Sequence, residues 1–171
     1  ILAAGAAHGL KHAGMIAMNH CRMEKAFRHF GHDLGEEDSP FEAGLGFAVA
    51  TEKQEVFLGQ GILKKQKQLG AATPHRTVAI ALKQADKTKG PFLIHNETIW
   101  KDGALVGHVT SGAWGYRVGK SLGLASLHRA EGVSKIWIEE GGFDIMVAGQ
   151  RHPIDVQLKP FYDPAGLLMR G

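Results

Sequence analysis

The stretch that decides the fold is Leu93-Ile94-His95-Asn96-Glu97-Thr98-Ile99-Trp100-Lys101-Asp102-Gly103-Ala104-Leu105-Val106-Gly107-His108-Val109-Thr110. Two runs of strand-forming residues flank Asp102-Gly103, a dipeptide suited to a two-residue hairpin turn. Outward from it the same alternation continues. Thr77 to Ala85 places Val78, Ile80 and Leu82 among smaller or polar neighbours, and Ser121 to His128 alternates again. Lys135 to Glu139 follows the same period, Gly141-Gly142 turns into Phe143–Val147, and Ile154–Leu158 ends the series. About six strands with short turns and no intervening helix predict a small antiparallel barrel or sandwich.

Before this region the period is helical. From Lys11 to Phe30, Ile16, Met23, Phe27 and Phe30 fall on one stripe, and Glu24 and Arg28 stand four apart as a helical ion pair. Gly31 stops the helix, and Glu36-Glu37-Asp38-Ser39-Pro40 reads as a loop. Phe41 to Val49 is apolar and glycine-rich, as in a buried extended segment with close backbone approach at Gly44 and Gly46. A second helix fits Gly61 to Leu69, ended by Gly70. Ala71-Ala72-Thr73-Pro74 is the expected domain boundary, dividing residues 1–72 from 73–171.

The chain has 171 residues, 44% of them hydrophobic and 22% charged, enough for one large core or two small ones. A net charge of +3, spread along the chain, is too small to argue for nucleic acid, and Lys64-Lys65-Gln66-Lys67 reads as a solvated helix face. No apolar stretch reaches membrane-spanning length. The single cysteine, Cys21, lies in the helical pattern and is expected to be a small core residue. The start carries neither an initiator Met nor a signal pattern and reads as the middle of a helix, so a longer parent protein is expected.

Local motifs fail one by one. Gly115-Tyr116-Arg117-Val118-Gly119-Lys120-Ser121 has three residues between its glycines where a phosphate loop needs four, and a strand follows it. It reads as a loop between barrel strands. Gly44-Leu45-Gly46 reaches Val49 where a dinucleotide fingerprint needs Gly or Ala, so no flavin or nicotinamide site is expected. His8 with His12, and His29 with His32 and Asp33, lack the further ligands of a zinc site and read as helix-surface histidines. Glu42 borders an apolar segment and is expected to pair with a backbone or arginine partner. No self-contained catalytic constellation emerges.

Two longer blocks add a resemblance. The first is Cys21-Arg22-Met23-Glu24 through Tyr/Phe-like Phe30-Gly31-His32-Asp33-Leu34, then Ser39-Pro40-Phe41-Glu42-Ala43-Gly44-Leu45. The second is Val106-Gly107-His108-Val109-Thr110-Ser111-Gly112, then Gly119-Lys120-Ser121-Leu122-Gly123. Together they resemble the glycine-cleavage T-protein (aminomethyltransferase) family over essentially the whole chain. Phe27-Arg28-His29-Phe30 and Gly112-Ala113-Trp114-Gly115-Tyr116 are most similar to the folate-binding region of dimethylglycine and sarcosine dehydrogenases.

The resemblance implies an α+β fold: a partial α+β domain (a ferredoxin-like half) followed by an antiparallel β-barrel of about six strands. It implies transfer of a one-carbon unit to tetrahydrofolate from an N-methyl amine or aminomethyl donor. FAD would belong only to an upstream domain, if at all. The carboxylates that organise the transfer in the family lie upstream of Ile1, so this chain alone is not expected to turn over. Arg22, Glu42, Trp114, Tyr116 and Arg117 are the folate-binding candidates, with Arg22 also readable as an ion-pair partner of Glu24 or Glu42, and Trp114 and Tyr116 as plain packing. Ile16 and Met18 stand where relatives in the family carry arginine, which leaves the folate glutamate tail to Arg22 or Arg117. The implied partners are folate and the remaining domains of the parent, not nucleic acid or membrane. The implied setting is the cytoplasm of a bacterium or the mitochondrial matrix of a eukaryote. Two rivals stay open: an interaction subunit that keeps the architecture without folate, and a methyltransferase for another donor.

Overall fold

The computed structural model describes residues 1–68 and 73–170. The end of the expected second helix (Leu69-Gly70) and the boundary residues Ala71-Ala72 lie outside them. The elements run α1 (Leu2–Ala6), α2 (Met15–Glu24), a 3-10 turn (Gly46–Ala48), α3 (Gln60–Gln68), then β1 (Thr73–Leu82), β2 (Thr98–Lys101), β3 (Ala104–Gly115), β4 (Lys120–Val133), α4 (Lys135–Glu139), β5 (Phe143–Val147) and β6 (Gln150–Gln157).

The strands close into an antiparallel barrel in the order β1-β4-β3-β2-β5-β6. The barrel of the two alternatives is therefore the one that forms, and the molecule has α+β character. The β2–β3 turn is the predicted one. Asp102 and Gly103 have φ of 52° and 80°, and a two-residue primed turn needs positive φ at both positions. Period-two alternation then sorts the side chains. Val78, Ile80, Leu82, Ile99, Val109, Ala125, Leu127 and Ile145 fill the interior with Phe143 and Ile154. Each valine, leucine or isoleucine among them contributes about 1.5–3 kcal/mol by leaving water. Ala79, Ala81, Leu122 and Leu124 face outward and are also buried, because Met23 and Ala26 pack on them. At Gly112 a Cβ would stand 2.1 Å from the Leu93 carbonyl oxygen, so the segment before β2 lies directly on β3.

One expected strand is a helix. Lys135–Glu139 forms α4, where Ser134 Oγ accepts from Trp137 N at 3.2 Å as an N-cap. Trp137 and Ile138 plug the barrel, and buried Lys101 Nζ donates to the carbonyls of Trp137 (3.1 Å) and Gly141 (2.7 Å). The alternating isoleucines mimic a strand, but the cap and the cation at the helix C-terminus select the helix.

Residues 1–68 also depart from expectation. The helix expected over Lys11–Phe30 runs only from Met15 to Glu24, because Ala26 turns left-handed at φ 52° and Arg28 Nη1 donates to its carbonyl. Of the expected stripe only Met23 is buried, while Ile16, Phe27 and Phe30 are exposed. Cys21 is exposed too, on the side of α2 away from the barrel's buried seam, so it is not a core residue. Glu24 does not pair along the helix with Arg28 but accepts from the backbone N–H of Arg117 at 2.5 Å. Phe41–Val49 is a chain of turns, with Phe47 almost fully exposed, and not a buried extended segment. α1 ends at Ala6, before His8, which removes the shared helix face of His8 and His12.

Candidate functional site

The outer face of the barrel meets α2 and the loop after it along one seam, and the polar groups gather there. Arg22, near the end of α2, is the central tie. Its Nη1 donates to Asp33 Oδ2 at 2.8 Å and to the Phe27 carbonyl at 3.1 Å, Nε to Asn19 Oδ1 at 2.9 Å, and Nη2 to Ser111 Oγ at 3.0 Å. The expected partners Glu24 and Glu42 are not its partners, since both are engaged elsewhere. Asp33, its side chain fully buried, completes itself with the backbone N–H of His29 at 2.8 Å and the Thr110 hydroxyl at 2.6 Å. A buried charge needs this full complement of partners.

Glu42 closes a reciprocal pair with Ser39: Oε2 accepts from Ser39 N at 2.9 Å and Ser39 Oγ accepts from Glu42 N at 3.3 Å. This is a backbone partner, one of the two kinds expected for it. Its carbonyl accepts from Thr77 N at 2.9 Å, which fastens the loop to β1.

The other candidates ride on the β3–β4 hairpin, the loop that the failed phosphate motif becomes. Trp114 is nearly buried, stacks edge-on against Phe92, and its carbonyl meets His20 Nδ1 of α2 at 2.6 Å. Tyr116 is exposed, with Lys87 Nζ 4.5 Å from its ring centre and the His20 ring 5.2 Å away. Arg117 lies over the Tyr162 ring and donates to its hydroxyl at 3.2 Å. The fold thus brings Trp114, Tyr116 and Arg117 together against one flank of α2 while Arg22 ties the helix to Asp33 and Ser111. Glu42 lies apart, beyond Asp33.

Two clefts flank Asp33 and share His32 and Thr110. One, of about 430 Å³, runs between α2 and the segment before β2, lined by Asn19, Arg22, His29, His32, His95 and Ser111. The other, of about 490 Å³, holds a network that no local motif announces. Asp38 Oδ1 stands 3.2 Å from His75 Nδ1, His75 Nε2 stands 2.5 Å from Ser126 Oγ, and His128 Nε2 stands 3.0 Å from the same oxygen. The His75 and His128 rings stack at 4.5 Å, nearly parallel. Burial first, then the neighbouring imidazoles, lowers the pKa of His128 and of His108 below the ordinary histidine value. Only strand register could have revealed the network, because its members come from β1, β4 and the loop. Among the described residues no group of three or more His, Cys, Asp or Glu is placed to hold a metal ion. No helix among them is long and apolar enough to cross a membrane.

A six-stranded antiparallel barrel with a helical wall fastened to its outer face by buried and half-buried hydrogen bonds is the class that the geometry defines. Residues 75–163 match the glycine cleavage T-protein C-terminal barrel domain and residues 1–53 the GCVT N-terminal domain, and the chain belongs to the glycine-cleavage T-protein family. It is 40% identical over 98% of its length to the 4-methylaminobutanoate oxidase (formaldehyde-forming) of Paenarthrobacter nicotinovorans, covering 19% of that protein. It is 32% identical to the mitochondrial sarcosine dehydrogenase of Mus musculus, covering 18% of it, and 36% identical to an aminomethyltransferase of Geobacillus kaustophilus, covering 41%. The chain therefore spans from about a fifth to two-fifths of these relatives. The glycine cleavage system aminomethyltransferase T of Bartonella henselae superposes on 86% of the chain with a TM-score of 0.70 at 20% identity, which is a likeness of fold.

Proposed function

We propose that the chain is the C-terminal part of a tetrahydrofolate-dependent, aminomethyltransferase-like enzyme joined to an N-methyl amine dehydrogenase. In such a protein it would form the wall of a cleft where a one-carbon unit passes from an oxidised N-methyl amine, or an aminomethyl donor, to folate. The observation that carries the reading is the ordered match of both family segments together with likeness over 98% of the chain to an oxidase of a methylamino acid. The family segments end at 53 and restart at 75, which supports a domain boundary near residues 72 and 73.

The five candidate residues divide by what they have left to give. A guanidinium carries five N–H donors, and four contacts already engage Arg22, so it holds the wall in place. Glu42 likewise fixes the loop. The exposed Tyr116 ring, in the turn just after β3, offers a stacking face for a flat heterocycle, and Arg117 offers a cation for a carboxylate tail. Ile16 and Met18, exposed on α2, bring no charge to that tail. Folate bound there would supply the acceptor nitrogen, and these side chains would orient it. The cytoplasm of a bacterium, or the matrix of a mitochondrion, suits such a protein; the sarcosine dehydrogenase relative is mitochondrial.

Likeness to a formaldehyde-forming oxidase favours a second reading in which the fold serves without folate. Calorimetry of the full-length protein with tetrahydrofolate separates the two. Heat of binding that is lost in a Tyr116→Ala, Arg117→Ala double variant is the expected result. No heat at millimolar folate overturns the proposal.

A further inference from the structure

We propose that Asp38, His75 and Ser126 form a carboxylate–base–nucleophile relay, an acyl-accepting site independent of the folate reading. The barrel register builds it. His75 pairs with His128 across β1–β4 and His108 with Ser126 across β3–β4, so these side chains share the outer face of three adjacent strands. The loop 35–42 then lays Asp38 over them, its second carboxylate oxygen held by the N–H of Gly35 at 2.6 Å.

The hydrogen-bond roles follow from what each group can do. A carboxylate only accepts, so the Nδ1 of His75 carries the proton that faces Asp38. In the neutral ring this turns the lone pair of Nε2 to the Ser126 hydroxyl at 2.5 Å, the arrangement that activates a serine as a nucleophile. Ser126 then donates to His75 and accepts from the Nε2–H of His128, whose pKa burial and the neighbouring imidazoles lower. The hydroxyl thus lies between an acceptor and a donor. Two imidazole nitrogens converge on the Ser126 oxygen, and among the described residues no third ligand joins them, so the cluster reads as a proton relay and not as a metal site.

Ser126 Oγ borders the cleft of about 490 Å³ with Asp33, Glu37, Asp38 and Glu42. These carboxylates disfavour anionic acyl groups, so the substrate class is a neutral or cationic activated ester or thioester. In the first step Ser126 Oγ bonds to the acyl carbon while its proton passes to His75 Nε2. The bond from that carbon to the leaving oxygen or sulfur breaks, and the leaving group takes the proton from His75. Water, giving its proton to His75, then attacks the acyl-serine; Ser126 recovers that proton as the free acid departs. His75 is the catalytic base and Asp38 a positioning residue that fixes its tautomer.

The test treats the full-length protein with a fluorophosphonate and maps the adduct by tandem mass spectrometry on the peptide 121–129. Fully buried Ser121, in the same peptide, is the internal negative. The expected result is a label on Ser126 that disappears in Ser126→Ala and forms about 100-fold more slowly in His75→Gln, the size of a general-base contribution. Asp38→Asn, which leaves the histidine in place, should slow it as well. An unlabelled Ser126 in the natural protein overturns the proposal, and so does a labelling rate that both variants leave unchanged. Loss of folate binding with labelling intact would strike the folate reading alone.

Discussion

The barrel and the segment before it are built on different principles. Within residues 73–157, apolar side chains fill the inside of a closed sheet, and every strand has two hydrogen-bonded neighbours. Among the described residues 1–68 the buried hydrophobic side chains are Met23, Ala26 and Ala43, whereas Phe27, Phe30, Phe47 and Leu58 face outward. That segment has no core of its own. It is held by Met23 and Ala26 on the barrel's outer face and by polar ties: Arg22–Asp33–Thr110, Glu24 to Arg117, Glu42 to Thr77, and Lys25 to Asp163. Barrel stability is therefore hydrophobic and diffuse, whereas attachment of the wall is polar and rests on few residues. Losing one side of a buried polar tie leaves the other uncompensated.

This contrast can be broken from either side. Leu127→Ala, inside the barrel and fully buried, should cost about 2–5 kcal/mol and lower the urea midpoint of the entire cooperative transition. A change confined to the N-terminal segment would show that the barrel is not the stabilising unit. Asp33→Ala should cost about 3 kcal/mol, by stranding Arg22 and Thr110. Its signature is local: hydrogen exchange should accelerate across residues 15–45 while β5 and β6 keep their protection. Equal loss in both regions would refute the division.

A smaller effect tests the seam through pH. The folded pKa values of His108 and His128 lie below the ordinary value of 6.5, chiefly through burial, then through His95 and His75, with Asp38 opposing at His128. Between those lowered values and 6.5 the unfolded chain binds more protons than the folded one. Stability is thus full above about pH 7 and falls as pH drops through that window. Thermal unfolding at neutral and at mildly acidic pH should show a modest loss that His108→Asn with His128→Asn reduces. An unchanged slope in the double variant would place the sensitivity elsewhere.

Particular residues show where sequence alone suffices. Asp102-Gly103 and the two-residue period of Val78, Ile80 and Leu82 specified the hairpin and the strands, because turn chemistry and side-chain alternation are local properties of the chain. The two motif blocks carried the family for the same reason, being contiguous. The closing of the sheet into a barrel, the helix at Lys135–Glu139 and the early end of α2 at Glu24 were decided only in three dimensions. There, capping by Ser134, plugging by Trp137 and the left-handed turn at Ala26, held by Arg28, outweigh local period. Arg22 found Asp33, and Asp38 found His75 and Ser126, across strands that sequence spacing does not relate. Register on a curved sheet sets those distances, and it exists only once the barrel is closed.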